Sequence, residues 1–176
     1  MSKWSIDASH STVQFSVRHM MITNVRGQFQ AVEGTVDFDP GQAGATRVEA
    51  SIEVASIHTR EEKRDAHLKS ADFFDAEKYP TIRFVSTEVV GKGGSELELR
   101  GKLTIRDTTK DVTLHVEDLT PEHKDPWGQT RIGATAKTSI KRSDFGIQWN
   151  QALEAGGVLV GDEVKISLDV SLVRQA

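Results

Sequence analysis

Through most of this chain hydrophobic residues fall at every second position, a period that suits half-buried β-strands and no helix. Val13, Phe15 and Val17 alternate with Gln14, Ser16 and Arg18, with Trp4 to Ile6 as an extended lead. The second strand spans 27–39, where Phe29 and Ala31 fall on odd positions and Val32, Val36 and Phe38 on even ones. That change of phase predicts a β-bulge near Val32 to Gly34. Val48, Ala50, Ile52 and Val54 mark the third strand, whose extension brings Ser56 and His58 to the same face. Ile82, Phe84 and Ser86 mark the fourth; Leu97, Leu99, Gly101, Leu103 and Ile105 the fifth; Val112, Leu114 and Val116 the sixth. Ile132, Ala134, Ala136, Thr138 and Ile140 form the seventh, and Val164, Ile166, Leu168, Val170 and Leu172 the eighth.

Strands this long, in sequence and with one apolar face each, predict an all-β fold: an eight-stranded antiparallel up-and-down barrel rather than a sandwich. No repeat, low-complexity tract or linker divides the chain, so residues 1–176 are read as a single domain.

One stretch breaks the alternation, Thr59 to Pro80, and it predicts one short helical insertion between strands 3 and 4. Thr59 followed by Glu62 is a capping-box signature, placing a helix from Arg60 to about Lys69. With only Ala66 and Leu68 to bury, that helix must lie over the rim of the barrel. Phe73 and Phe74 anchor the loop behind it, and Tyr79-Pro80 ends it.

An eight-stranded barrel is either just filled by its own side chains or left hollow for one ligand, so the sizes of the inward residues decide which. Phe15, Val17, Phe29, Phe38, Ile52, Val54, Phe84, Leu99, Leu103, Ile132, Ile140 and Leu168 are large, but Ala50, Ser86, Gly101, Ala134, Ala136 and Thr138 share their face. An unfilled methyl-sized gap costs on the order of 1 kcal/mol, so this run of small residues implies a guest, and the apolar lining implies a guest that is mostly hydrocarbon. His19, Arg26, His58, Arg64, His67 and Asp72 are the polar residues expected near the mouth, with Arg60 and Asp65 beside them; a cation-rich opening suits an anionic or strongly polar head.

Composition narrows the alternatives. The net charge of −4 with interspersed signs gives no footprint for nucleic acid, and the absence of cysteine removes disulfides and thiolate metal sites. The start, MSKWSIDASH, has no basic segment followed by an apolar run, and no window is apolar enough for stable membrane insertion. The expectation is a soluble cytoplasmic protein, periplasmic or secreted if a leader has been removed.

The blocks HSTVQFSVRHM (10–20), RGQF (26–29), RDAHLKSADFFDAEKYP (64–80), LTIRDTTKDV (103–112) and KRSDFG (141–146) together resemble the YceI-like, polyisoprenoid-binding family, and the match spans nearly the whole chain. The resemblance implies a lipocalin-like barrel holding a long isoprenoid in its lumen, with members often dimeric and many exported. Its patterned positions fall on His10, His19, Arg26, Gly27, Arg64, Asp65, His67, Leu68, Asp72, Phe73, Phe74, Tyr79, Pro80, Arg142, Asp144, Phe145 and Gly146. Asp144 to Gly146 reads as a tight turn with an aromatic plug.

The expected function is therefore to bind and carry or store a long amphiphilic isoprenoid, a polyprenyl phosphate or an isoprenoid quinone, as a homodimer and without a cofactor. No catalytic residue and no metal ligand is assigned: His19, His58 and His67 lack zincin or His-x-His spacing, and no nucleophile elbow, P-loop or dinucleotide glycine pattern occurs. Two alternatives stay open, a metal- or histidine-dependent enzyme of the barrel mouth and a stress-related interaction protein that needs no ligand.

Overall fold

Alternation of this kind leaves each strand with one apolar face, and the chain buries those faces by closing the sheet on itself. The computed structural model describes residues 2–153 and 157–176. β1 (Ser2–Ile6) and β2 (Thr12–His19) form one stave, broken by a 3-10 turn at Ala8–His10. β3 (Thr23–Phe29) and β4 (Val32–Phe38) form the second, and β5 (Arg47–Glu53) with the short β6 (Ile57–His58) the third. Helix α1 (Glu62–Lys69) and its loop intervene. β7 (Thr81–Gly93), β8 (Glu96–Ile105), β9 (Thr108–Glu117) and β11 (Thr130–Lys141) follow as long strands, with the two-residue β10 (His123–Lys124) on the edge of β11. β12 (Val160–Arg174) closes the ring, pairing with β11 along one edge and with β1 and β2 along the other.

The result is a closed eight-stave antiparallel barrel in up-and-down order, the fold that the patterning predicts, with the helical insertion between the third and fourth staves. Closure removes the exposed sheet edges that a flat meander of this length would leave open to aggregation.

One end is sealed. Trp4, 0% exposed, packs with Val36, Phe38, Ile132 and Leu172. Its indole N–H donates to the Phe38 carbonyl at 3.3 Å, and the Arg174 guanidinium lies 5.0 Å from its ring centre. The lead segment read from Trp4 to Ile6 is thus the floor of the tube.

Local details depart from the sequence reading in three places. The second stave breaks at Gln30 and Ala31, where pairing lapses, and not at Val32 to Gly34. The third stave does not run on to His58 in phase, because a 3-10 turn at Val54–Ser56 rotates the chain. Val54 moves into the packed core instead of the lumen wall, and the Ser56 hydroxyl donates to the Glu53 carbonyl and accepts from the Ala31 amide. The helix starts at Glu62, not Arg60, whose φ of 69° is left-handed. Its cap is Glu61, which accepts from the amides of Lys63 and Arg64 at 3.2 and 2.6 Å; Thr59 is drawn away to Asp65, so the capping box never forms.

Candidate functional site

The barrel is hollow. A cavity of about 600 Å³ runs from Val36, Phe38, Ile132 and Leu172, which pack on Trp4, to the end covered by α1, within the range of about 300–1,000 Å³ typical of sites that enclose a small molecule. β-strand geometry sends alternate side chains to its wall, and the lining includes Phe15, Val17, Phe29, Phe38, Ala50, Ile52, Phe84, Leu99, Leu103, Ile132, Ala134, Ala136, Ile140 and Leu168. Phe15, Val17, Ala50, Ile52, Ala134, Ile140 and Leu168 are only half-buried although they point inward, because they face empty space.

Not every small residue contributes to that space. Gly101 is covered by the Phe84 ring. Ser86 does not reach the cavity, and its hydroxyl accepts the Val48 amide at 2.8 Å. The hollow comes from Ala50, Ala134, Ala136 and Thr138, whose hydroxyl donates to the Thr113 carbonyl at 2.8 Å and so turns no unpaired polar atom to the lumen. Among the described residues no buried side-chain nitrogen or oxygen lacks a partner, so the wall asks nothing polar of a guest.

Charge gathers at the other end. Arg18, His19, Lys63, Arg64, His67 and Arg142 all line the cavity, and no carboxylate does among the described residues. Arg18 and Lys63 are also exposed, which marks where the tube meets solvent. Arg64 is held from the helix: its Nε donates to the Thr59 hydroxyl at 2.8 Å and its Nη2 to the Thr59 carbonyl at 2.6 Å. Asp65 takes the Thr59 amide and hydroxyl and stands 3.5 Å from His58. Burial pushes the Asp65 carboxyl up, but the Thr59 contacts and His58 together outweigh it and hold it below the usual carboxylate range.

His67 Nε2 lies 2.9 Å from Asp72 Oδ2, and its ring stands edge-on to Phe73 and Trp149 with centroids 5.0 and 4.7 Å away. Asp72 itself is exposed and touches no part of the lumen, so it orients His67 rather than lining the site. Arg26 and His58, expected at the mouth, face the outer surface: Arg26 pairs across from Ser16 and His58 from Gln28, both on the solvent side of the sheet. Arg60 lies on that outer surface too.

Arg142 and Trp149 were not assigned to the mouth from sequence. The 3-10 turn Arg142–Phe145 ends at Gly146 with φ 77°, a backbone that favours glycine, and buries Phe145 to 2% exposure. Arg142, 7% exposed, donates from Nε to Gly161 O, from Nη1 to Ile147 O and Trp149 O, and from Nη2 to Val160 O. Burial lowers its pKa, and the charge of Asp162 opposes the shift. With Asn150, which exchanges hydrogen bonds with Val160, the guanidinium staples the loop 146–150 to the start of β12 and sets Ile147 and Trp149 over the cavity. The alternation Ile147, Trp149 after the DFG turn was the available signal.

Among the described residues no three His, Asp or Glu side chains gather as a metal site. The arrangement is one apolar chamber, closed below and ringed above by cations.

The sequence pattern of the YceI-like domain matches residues 4–172. A UPF0312 protein of Staphylococcus aureus strain MSSA476 is 36% identical over 166 residues, 94% of each chain, and one of Vibrio cholerae is 37% identical over 140 residues, 80% of this chain and 74% of the relative. The crystal structure of BcnA from Burkholderia cenocepacia superposes with a TM-score of 0.82 at 26% identity, covering 94% of this chain and 98% of that one. A YceI protein of Campylobacter jejuni gives 0.75 at 30% identity over 90% of each. A domain from Saccharophagus degradans described as polyisoprenoid-binding shares the fold at 14% identity, with a TM-score of 0.71 over 99% of this chain and all of that one.

Proposed function

The chain belongs to the YceI-like family, and from that premise we propose that it binds a long amphiphilic isoprenoid, a polyprenyl phosphate or an isoprenoid quinone, with the tail in the lumen and the head among the cations of the mouth. The observation that carries this reading is the polarity of the tube: hydrocarbon walls for its length, and Arg18, Lys63, Arg64 and Arg142 at one end with no carboxylate lining it among the described residues. The isoprenoid class is favoured by the description of the Saccharophagus degradans domain.

Affinity in such a site comes from burial. A prenyl tail covering several hundred Å² of apolar surface gains on the order of 10 kcal/mol at about 25 cal/mol per Å², before the entropy of immobilisation is subtracted. The head adds orientation more than energy, since Lys63 and Arg18 remain solvated. The chain thus acts as a binding protein that carries or stores its ligand, and the His67–Asp72 pair serves to position the rim. Passage of the ligand requires movement of the α1 segment, and homodimerisation, read by light scattering, remains part of the proposal.

Organic extraction of protein purified without added lipid, followed by mass spectrometry, is expected to yield a prenyl lipid at up to one per barrel, and delipidated protein is expected to retain added polyprenyl phosphate or quinone through gel filtration. Extracts free of prenyl lipid, together with failure to retain either probe, reject the proposal.

A further inference from the structure

The strands β2 and β3 meet in a turn made of the wrong residues for its geometry. Ile22 N donates to His19 O at 3.1 Å, and the two residues between, Met20 and Met21, have φ of 52° and 61°. Hairpins normally fill two consecutive left-handed positions with Asn-Gly, because a side chain with a free Cβ is strained there. Nothing inside the barrel compensates: Met20 is 44% exposed, Met21 56% and Ile22 68%. Single exposed hydrophobic residues need no explanation, but three in succession at the tip of a strained turn do.

The tip is tied to the mouth of the cavity. Arg18, which lines the cavity, donates from Nη2 to the Met21 carbonyl at 3.2 Å, and the Met20 amide donates to Leu159 O at 2.8 Å. Gly157 lies directly against the Met21 side chain, and the neighbouring Val158 is itself 40% exposed, which widens the apolar point. Of the cations, Arg18 touches the tip itself, and Lys63 and Arg64 line the same cavity from the α1 side of its mouth. Among the described carboxylates of this end, Glu61, Asp65, Asp72 and Asp162 are engaged by the α1 amides, Thr59, His67 and Ser143, while Glu62 and Asp144 have no partner among the described residues.

We propose that the Met20–Ile22 tip, with Val158 beside it, is a docking element for an anionic lipid bilayer that sets the mouth of the cavity against the membrane surface. An exposed point of unbranched and aliphatic side chains suits the disordered acyl boundary below the headgroups, and Arg18, bonded to the tip, would then meet the lipid phosphates with the other cations of the mouth. An acidic protein groove matches the charges but offers no reason for three bare aliphatic side chains in a strained turn. Docking of this kind gives a water-insoluble guest a path between bilayer and lumen that never crosses open water. The inference stands apart from the isoprenoid reading, since it concerns the rim and not the guest.

The test is flotation of the full-length, delipidated protein with vesicles of phosphatidylcholine alone and of phosphatidylcholine with phosphatidylglycerol. The wild type is expected to float with the anionic vesicles, with binding weakened by salt, and Ile22→Asp and Met21→Asp are each expected to lose about tenfold in binding. Both side chains lie outside the core, so the unfolding midpoint should stay within a degree or two of wild type. Because the chain has no cysteine, Ile22→Cys carries a single environment-sensitive dye, and its emission should shift to the blue on anionic vesicles. A wild type that stays in the bottom fraction, variants that float equally well, or a dye whose emission does not move would overturn the proposal. Because delipidated protein is used, the outcome is independent of whether the lumen takes an isoprenoid.

Discussion

The ring of Phe84 occupies the space that a side chain at Gly101 needs. A β-carbon at 101 would stand 2.5 Å from Phe84 Cζ and 2.5 Å from the Val85 carbonyl oxygen. The aromatic from β7 therefore lies over the glycine of β8, and the wall is closed there. Gly101→Ala is expected to destabilise the barrel by about 1–3 kcal/mol, because the ring has to leave its rotamer and the carbonyl belongs to the sheet. Gly91→Ala, where nothing lies within 4 Å, is expected to change stability by no more than about 0.5 kcal/mol. Urea unfolding of the two variants decides the matter; equal effects would mean that the ring moves aside freely.

The open part of the wall behaves in the opposite way. Ala134 and Ala136 face the cavity from β11, across from Val170 and Leu168 of β12. Ala134→Leu with Ala136→Leu puts six extra carbon atoms into that space. The double variant should keep its unfolding midpoint or gain slightly, because the added carbons fill a hollow instead of crowding a packed core. Retained prenyl lipid should fall by tenfold or more, the effect of about 1.4 kcal/mol of lost ligand burial. Normal retention with a lowered midpoint would show that the two alanines sit against packed neighbours.

Arg142 makes a different kind of prediction, because its guanidinium serves four backbone carbonyls, one of which, Val160 O, it shares with the Asn150 amide. Arg142→Met keeps much of the volume and removes every donor, at a cost of about 2–5 kcal/mol for the stranded carbonyls. Arg142→Lys keeps the charge yet lacks the planar fork, so it is expected to recover only part of the loss. Amide exchange at Ile147 to Trp149 should accelerate in both variants, and full rescue by lysine would show that charge alone matters.

Residues such as Ala134 and Phe38 were legible as lumen wall because strand parity is a local property and the barrel preserves it along β11 and β4. Parity fails where a 3-10 turn resets the phase. The turn at Val54–Ser56 carries Val54 out of the lumen wall, and His58 beyond it faces solvent. Arg26 was grouped with the mouth for its charge, although its own strand alternation, between Val25 and Gly27, turns it outward. Arg18 reads as an outward residue by parity and still reaches the cavity, because at the end of a stave a long side chain bends over the rim. Lys63, Trp149 and the carbonyl partners of Arg142 depend on which loops meet above the barrel, and no short-range pattern encodes that.

At the opposite end Asp7 sits in the break between β1 and β2, where it binds Arg131 of β11 at 2.7 Å, His10 at 2.8 Å and the Ser9 hydroxyl at 2.7 Å. Arg131, then His10 and Ser9, hold the Asp7 carboxyl far below the usual carboxylate range. A carboxyl depressed in the folded state is more readily protonated in the unfolded chain, so its stabilisation is complete above the unfolded pKa of about 3.9 and is lost as the pH falls below that toward the folded value. Asp7→Asn removes that contribution. The gap in unfolding midpoint between wild type and Asp7→Asn is expected to be constant above about pH 5 and to narrow steadily below about pH 4. Thermal unfolding from pH 7 to pH 2.5 reads the gap directly. A gap that stays constant down to the lowest pH would mean that the Arg131 contact stabilises the carboxylate no more than the unfolded chain does.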